Sequence, residues 1–154
     1  MIENTLINTL IKRKLTVAVA ESCTGGLISH TLTNIAGSSK YFLLGIIAYA
    51  NESKTKFVGV SPETLNNHGA VSQETALELA KNIKHLAGAN IGIGVTGIAG
   101  PGGGSLSKPV GTVFIAISLG HHDFFKKFQF KGSRLSIKTK AKNAALNLLQ
   151  ECLQ

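Results

Sequence analysis

The stretch Val17-Ala18-Val19-Ala20-Glu21-Ser22-Cys23-Thr24-Gly25-Gly26 decides how the chain is read. An apolar, β-branched run stops at small polar residues and two glycines. Leu27, Ile28, Thr31, Leu32 and Ile35 then recur at helical spacing. The order is strand, tight turn, helix. A parallel strand delivers its last residues to the carboxyl edge of a sheet, where open α/β folds bind ligands. Glycines let a ligand approach the backbone, and the free N–H groups of a helix start favour an anion. Glu21, Ser22, Cys23 and Thr24 are therefore expected to sit exposed at the site. The same residues also fit a plain helix start, capped by Ser22 or Thr24, with no chemistry.

Outward from that stretch, strands and helices alternate. A first helix begins at Asn4 or Thr5 and presents Leu6, Ile7, Leu10 and Ile11 on one face. The spacing predicts a strand over 16–20 and a helix over 25–35, closed by Ala36-Gly37-Ser38-Ser39. A second strand over 43–49 is apolar on both faces and reads as internal. A short helix follows over 51–58. Ser61-Pro62-Glu63 opens another, which stops at His68-Gly69. Ser72-Gln73-Glu74-Thr75 opens a longer helix with Ala76, Leu79, Ala80, Ile83 and Leu86 as its buried stripe. Residues 90–96 form a third core strand. Residues 97–109 hold five glycines and two prolines, which excludes helix and regular strand and marks a functional loop. Strands over 110–119 and 123–131 make a hairpin around Gly120-His121-His122. Ser133 caps a last helix with Ile137, Ala141, Ala144, Ala145, Leu148, Leu149 and Leu153 at helical spacing. The predicted fold is a three-layer α/β/α sandwich on a mixed, mostly parallel sheet, formed by residues 1–154 as one domain.

Composition narrows the class. At 154 residues and 44% hydrophobic, the chain can bury a core and is not disordered. No apolar run reaches the roughly 18 residues of a membrane span. Met1-Ile2-Glu3-Asn4 lacks the basic start of an export signal, so the expectation is a soluble, cytoplasmic protein without membrane contact. Cys23 and Cys152 form neither a metal-type pair nor a disulfide framework. Cys23 reads either as a nucleophile or as a small half-buried residue. The net charge of +8 is dispersed over Lys12-Arg13-Lys14, Lys54, Lys56, Lys126-Lys127 and the lysines from Lys131 to Lys142. No aromatics are interleaved for base stacking, so weak, salt-sensitive DNA contact is expected, with no specific nucleic-acid partner. Such charge equally steers a phosphorylated small molecule inward.

Three patterns mislead. Gly92-Ile93-Gly94-Val95-Thr96-Gly97 matches the dinucleotide fingerprint literally, but its glycines lie within a strand and Pro101 follows instead of a helix start. Those glycines read instead as room for a closely packed helix. Ser105-Leu106-Ser107-Lys108 matches S-x-x-K, which needs a helix that cannot form between Gly104 and Pro109. The five histidines lack ligand spacing, so no metal and no cofactor are expected. What remains is serine, tyrosine and lysine. If the first two strands are parallel neighbours, Ser22, Tyr49 and Lys54 converge, and a lysine that loses its proton can serve as base for a serine. A solvated Lys54 and a Tyr49 at the core's edge are the competing reading.

Several motifs fit one family at once. Glu21-Ser22-Cys23-Thr24-Gly25-Gly26, Gly37-Ser38-Ser39, Tyr49-Ala50-Asn51-Glu52-Ser53-Lys54 and His68-Gly69-Ala70-Val71-Ser72 resemble the CinA C-terminal domain. So do Thr96-Gly97-Ile98-Ala99-Gly100-Pro101-Gly102-Gly103 and Lys108-Pro109-Val110-Gly111-Thr112-Val113. The resemblance covers nearly the whole chain, in order. It implies a nicotinamide-nucleotide amidase of pyridine-nucleotide salvage, which hydrolyses nicotinamide mononucleotide to nicotinate mononucleotide and ammonia. It further implies Ser22 as nucleophile with Tyr49 and Lys54 as partners, and a homo-oligomer. The substrate is expected at Thr24, Gly25, Gly26, Thr96, Gly97 and Arg134, with oxyanion donors near Gly25 or Gly97. Family members often carry an acid just before that arginine and an arginine four residues after it; here Ser133 and Lys138 stand there. Longer relatives add an N-terminal pyrophosphatase-type domain that these residues do not contain. The alternative from another class is a non-catalytic nucleotide-binding or competence-related accessory protein on the same fold.

Overall fold

The computed structural model describes residues 2–154, so the reading of Met1 lies outside it. Five strands form one sheet in the order β2-β1-β3-β4-β5. They are β1 (Val17–Glu21), β2 (Phe42–Ile47), β3 (Ile91–Gly97), β4 (Thr112–Leu119) and β5 (His122–Gln129). β1 pairs parallel with both β2 and β3, while β4 pairs antiparallel with β3 and with β5. Only β4 is reversed, so the other four strands end at the same edge. The expected mixed, mostly parallel sheet is what forms.

Side-chain size sorts the two faces. Val17, Val19, Ile91, Ile93, Val95, Val113, Ile115 and Ile117 pack on α1 (Ile2–Lys12), α2 (Leu27–Thr33) and α6 (Arg134–Cys152). The opposite face offers Ala18, Ala20, Gly92, Gly94 and Ala116, and there α5 (Gln73–Ala87) lies against the sheet. A Cβ on Gly92 would come within 1.9 Å of the Ala80 carbonyl oxygen, and one on Gly94 within 2.3 Å of the Ala76 oxygen. The fingerprint-like glycines are thus clearance for α5, as the strand context predicts. Helices α3 (Asn51–Val58) and α4 (Pro62–His68) complete this layer.

The start signals hold where they are strongest. Ser61 Oγ accepts from the Glu63 and Thr64 N–H groups, with Pro62 in the first turn, and Ser72 and Ser133 cap α5 and α6 in the same way. Three expectations are corrected. β2 is an edge strand: its residues alternate between half-buried and exposed, with Leu43 46% and Ile47 53% exposed. An unbroken apolar run cannot separate a strand covered on both faces from an edge strand whose Leu44 and Ile46 alone pack into the cluster with Val58, Leu79 and Ile83. Leu86 and Ile11, at the margins of their helical stripes, are also exposed. The helix after the first turn is shorter than expected, because Gly25 and Gly26 both take positive φ and stay in the turn.

Candidate active site

Four chain segments converge at the carboxyl edge because of this topology. Ser22 follows β1, Tyr49 follows β2, and Thr96 and Gly97 end β3. β5 runs in the same direction, so α6 starts at that edge and brings Arg134. A pocket of about 190 Å³ opens there, lined by Ser22, Cys23, Tyr49, Lys54, Thr96, Gly97 and Arg134. Asn51, Ala70, Val71 and Ala99 complete the wall. A larger hollow, about 640 Å³, lies between Phe57 and Leu86 and holds no nucleophile beside a base.

The parallel neighbours bring Ser22, Tyr49 and Lys54 together, as the sequence predicts. Lys54 is not solvated: it is 2% exposed and donates from Nζ to the Tyr49 carbonyl oxygen at 2.8 Å. Burial pushes its pKa below the ordinary lysine value of 10.5, partly offset by Cys23. Tyr49 is 57% exposed, and its hydroxyl accepts from Arg134 Nη2 at 2.8 Å. Arg134 Nη1 donates to the Gly100 carbonyl oxygen at 2.7 Å, so the arginine ties the glycine-rich loop to the tyrosine. Among the described residues no hydrogen bond joins Ser22 to Lys54.

The first turn is built differently from expectation. Glu21, Ser22, Cys23 and Thr24 are all buried. Neither Ser22 nor Thr24 caps α2; its cap position is Gly26, without a side-chain bond. The Glu21 carboxylate takes that role, accepting from the N–H groups of Gly26, Ile28 and Ser29. The donors expected to face an anion are therefore already occupied. Of the expected substrate contacts, Thr96, Gly97 and Arg134 line the pocket, whereas Thr24, Gly25 and Gly26 do not. Thr24 is fully buried and its Oγ1 has no hydrogen-bond partner among the described residues. Gly25 donates its N–H to the Ser22 carbonyl at 3.0 Å, so it is not a free oxyanion donor. The Thr96 hydroxyl donates to the Ala70 carbonyl at 2.7 Å, pinning the 69–72 connection beside the site.

Cys23 also lines the pocket, but burial pushes its thiol up to about 12 against opposing pulls from its own backbone N–H, Lys54 and Lys138. A thiol so protonated at neutral pH is a poor rival nucleophile. Lys138 lies over Gly25, where an added Cβ would come within 3.3 Å of Nζ. It keeps a cation near the turn, and Ser133 serves as the α6 cap through a 3.3 Å bond from the Ser136 N–H. Among the described residues no group of three or more His, Cys, Asp or Glu gathers to hold a metal. No helix among them is long and apolar enough to cross a membrane.

Asn51, Ala70, Val71 and Lys138 stand in the sequence without a site role, whereas Glu21 was expected exposed at the site and is instead buried behind it. The motifs that contain Asn51 and Ala70-Val71 were the available signal. That Glu21 turns inward could not be read locally, since its partners lie five to eight residues on.

Fold and site define a three-layer α/β protein with a serine and a buried lysine at the carboxyl ends of parallel strands. The chain belongs to the CinA family: the CinA C-terminal domain matches residues 1–153. A CinA-like protein of Desulfotalea psychrophila is 51% identical over 144 residues, which is 94% of this chain and 35% of the relative. The chain thus spans about a third of the curated relatives it matches. Among solved structures, the competence/damage inducible protein CihA from Agrobacterium tumefaciens superposes with a TM-score of 0.96 at 39% identity, over 99% of this chain and 94% of that one. The competence damage-inducible protein A from Klebsiella pneumoniae gives 0.95 at 35% identity, over 99% and 94%.

Proposed function

We propose that this protein hydrolyses the carboxamide of nicotinamide mononucleotide, giving nicotinate mononucleotide and ammonia, with Ser22 as nucleophile and Lys54 as base. The observation that carries the proposal is Lys54: a buried lysine, depressed by that burial, opening into the same pocket as a serine on a tight strand-to-helix turn. Serine needs a base at neutral pH, and a lysine neutral for part of the time can be one. In this scheme Ser22 Oγ attacks the carboxamide carbon while its proton passes to Lys54 Nζ. The tetrahedral oxyanion needs N–H donors aimed into the pocket. Collapse breaks the C–N bond, and Lys54 returns the proton to the departing ammonia. Water, deprotonated by the same lysine, then hydrolyses the Ser22 ester and releases the acid.

The pocket volume supports a division of the substrate. About 190 Å³ is smaller than the roughly 300–1,000 Å³ of sites that enclose whole ligands. The carboxamide ring goes in, and the phosphate stays at the rim, near Arg134 and Lys138. With the α2 donors held by Glu21, these cations take the role first given to the helix start. Self-association is part of the same reading, and the uncovered β2 edge with exposed Leu43 and Ile47 supports it. Purified protein mixed with nicotinamide mononucleotide tests the activity. Ammonia and nicotinate mononucleotide should appear in equal amounts; binding without ammonia would favour the accessory-protein alternative.

A further inference from the structure

We propose that Glu21 is a positioning residue for this reaction: its buried carboxylate fixes the turn that carries the nucleophile. Glu21 is fully buried, and no salt bridge neutralises it among the described residues. Four donors hold it instead. Oε2 accepts from the N–H groups of Gly26 and Ile28, each at 3.1 Å. Oε1 accepts from the Ser29 N–H at 2.8 Å and the Ser29 hydroxyl at 2.7 Å. A buried carboxylate is tolerated only where such charge-assisted bonds replace water.

The placement gives this cluster its consequence. Residues 22–25 are the whole span between the Glu21 backbone and the first group its side chain grips. The carboxylate therefore closes a small ring around Ser22, Cys23 and Thr24. Glu21 also accepts the Ala48 N–H on its own carbonyl at 2.8 Å, while the Ser22 N–H donates to Val95. Ala48 immediately precedes Tyr49, whose carbonyl receives Lys54. One residue thus joins the end of β1 to the start of α2 and to the segment that holds the base. The inference rests on the amidase reading for its kinetic part, but the geometry does not depend on it.

The test uses the full chain with Glu21→Ala and Glu21→Gln, with sodium formate as the probe. A nucleophile shifted by about 1 Å loses on the order of 100-fold in rate, so both variants should show that fall in kcat with KM within about threefold. Formate entering the space vacated in Glu21→Ala should restore kcat, and restore it more than chloride at equal ionic strength. A folded Glu21→Ala with unchanged kcat overturns the proposal, as does formate that raises the melting temperature without raising kcat. If Glu21→Ala does not fold, Ser29→Ala removes one of the four donors: a several-fold fall in kcat supports the proposal and an unchanged kcat overturns it. If the wild type itself releases no ammonia, the amidase reading fails separately, and backbone NMR of Glu21→Ala decides. Formate should then shift the Ser22 and Thr24 amides along with those of Gly26, Ile28 and Ser29. Shifts confined to residues 26–29 would overturn the positioning role.

Discussion

Two glycine-containing connections border the pocket, and they are built in opposite ways. The β1–α2 turn, residues 22–26, buries its serine, cysteine and threonine and closes on a carboxylate with four donors. The loop from 98 to 111 exposes its tip, with Leu106 fully in solvent. That loop is tied at its ends, by the Gly111 N–H on the Ile98 carbonyl and by Arg134 on Gly100, and near its tip through Lys108, whose Nζ donates to the His68 carbonyl at 2.8 Å. Rigid placement suits a nucleophile, whose rate depends on fractions of an ångström. An exposed loop suits the part of a substrate that only has to be bound. Lesions in the first connection should therefore appear in kcat, and lesions around the second in KM.

The largest effect belongs to Ser22→Ala, which should lower kcat by at least about a thousandfold while the variant still binds nicotinate mononucleotide. Calorimetric titration with that product separates the two, and lost binding would break the division between the connections. Lys54→Met comes next, with a similar fall and a changed pH profile. In the wild type the active base is the neutral lysine, so kcat should rise with pH through a titration below 10.5. The variant's residual rate should be flat across that range; an unchanged rise would assign the titration to another group. Arg134→Ala should raise KM by about 10- to 100-fold, the worth of a lost charge-assisted bond, with kcat nearly unchanged. A fall in kcat at constant KM would place Arg134 at the reacting carbon instead.

Gly92→Ala sharpens the comparison from outside both connections. The added Cβ would collide with the Ala80 carbonyl, and overpacking of this kind costs about 1–3 kcal/mol. Urea unfolding should show that loss with near-normal KM in the folded fraction. Intact stability would mean that α5 has more clearance over the sheet than the 1.9 Å approach implies.

How far the sequence carried can be seen at particular residues. Ser61, Ser72 and Ser133 were legible as caps, since a cap is written within three or four residues. Gly92 and Gly94 were legible as helix clearance from their strand context. The convergence of Ser22, Tyr49 and Lys54 required only that β1 and β2 be parallel neighbours. The edge position of β2 was not legible, because strand order is a long-range property that an apolar run does not encode. Nor was the burial of Glu21 and Thr24, since polar residues beside glycines read as exposed unless their partners are known. The same blind spot led to an anion being assigned to the α2 donors that Glu21 already fills.

The central claim is that the hydroxyl of the locked turn, not the neighbouring thiol, attacks the amide. Acid quenching during turnover, followed by peptide fragmentation in a mass spectrometer, reads it directly. The acyl group of the substrate should be found as an ester on Ser22, absent in Ser22→Ala and retained in Cys23→Ala. An acyl group on Cys23, labile to hydroxylamine as a thioester and lost in Cys23→Ala while Ser22→Ala still turns over, would contradict it.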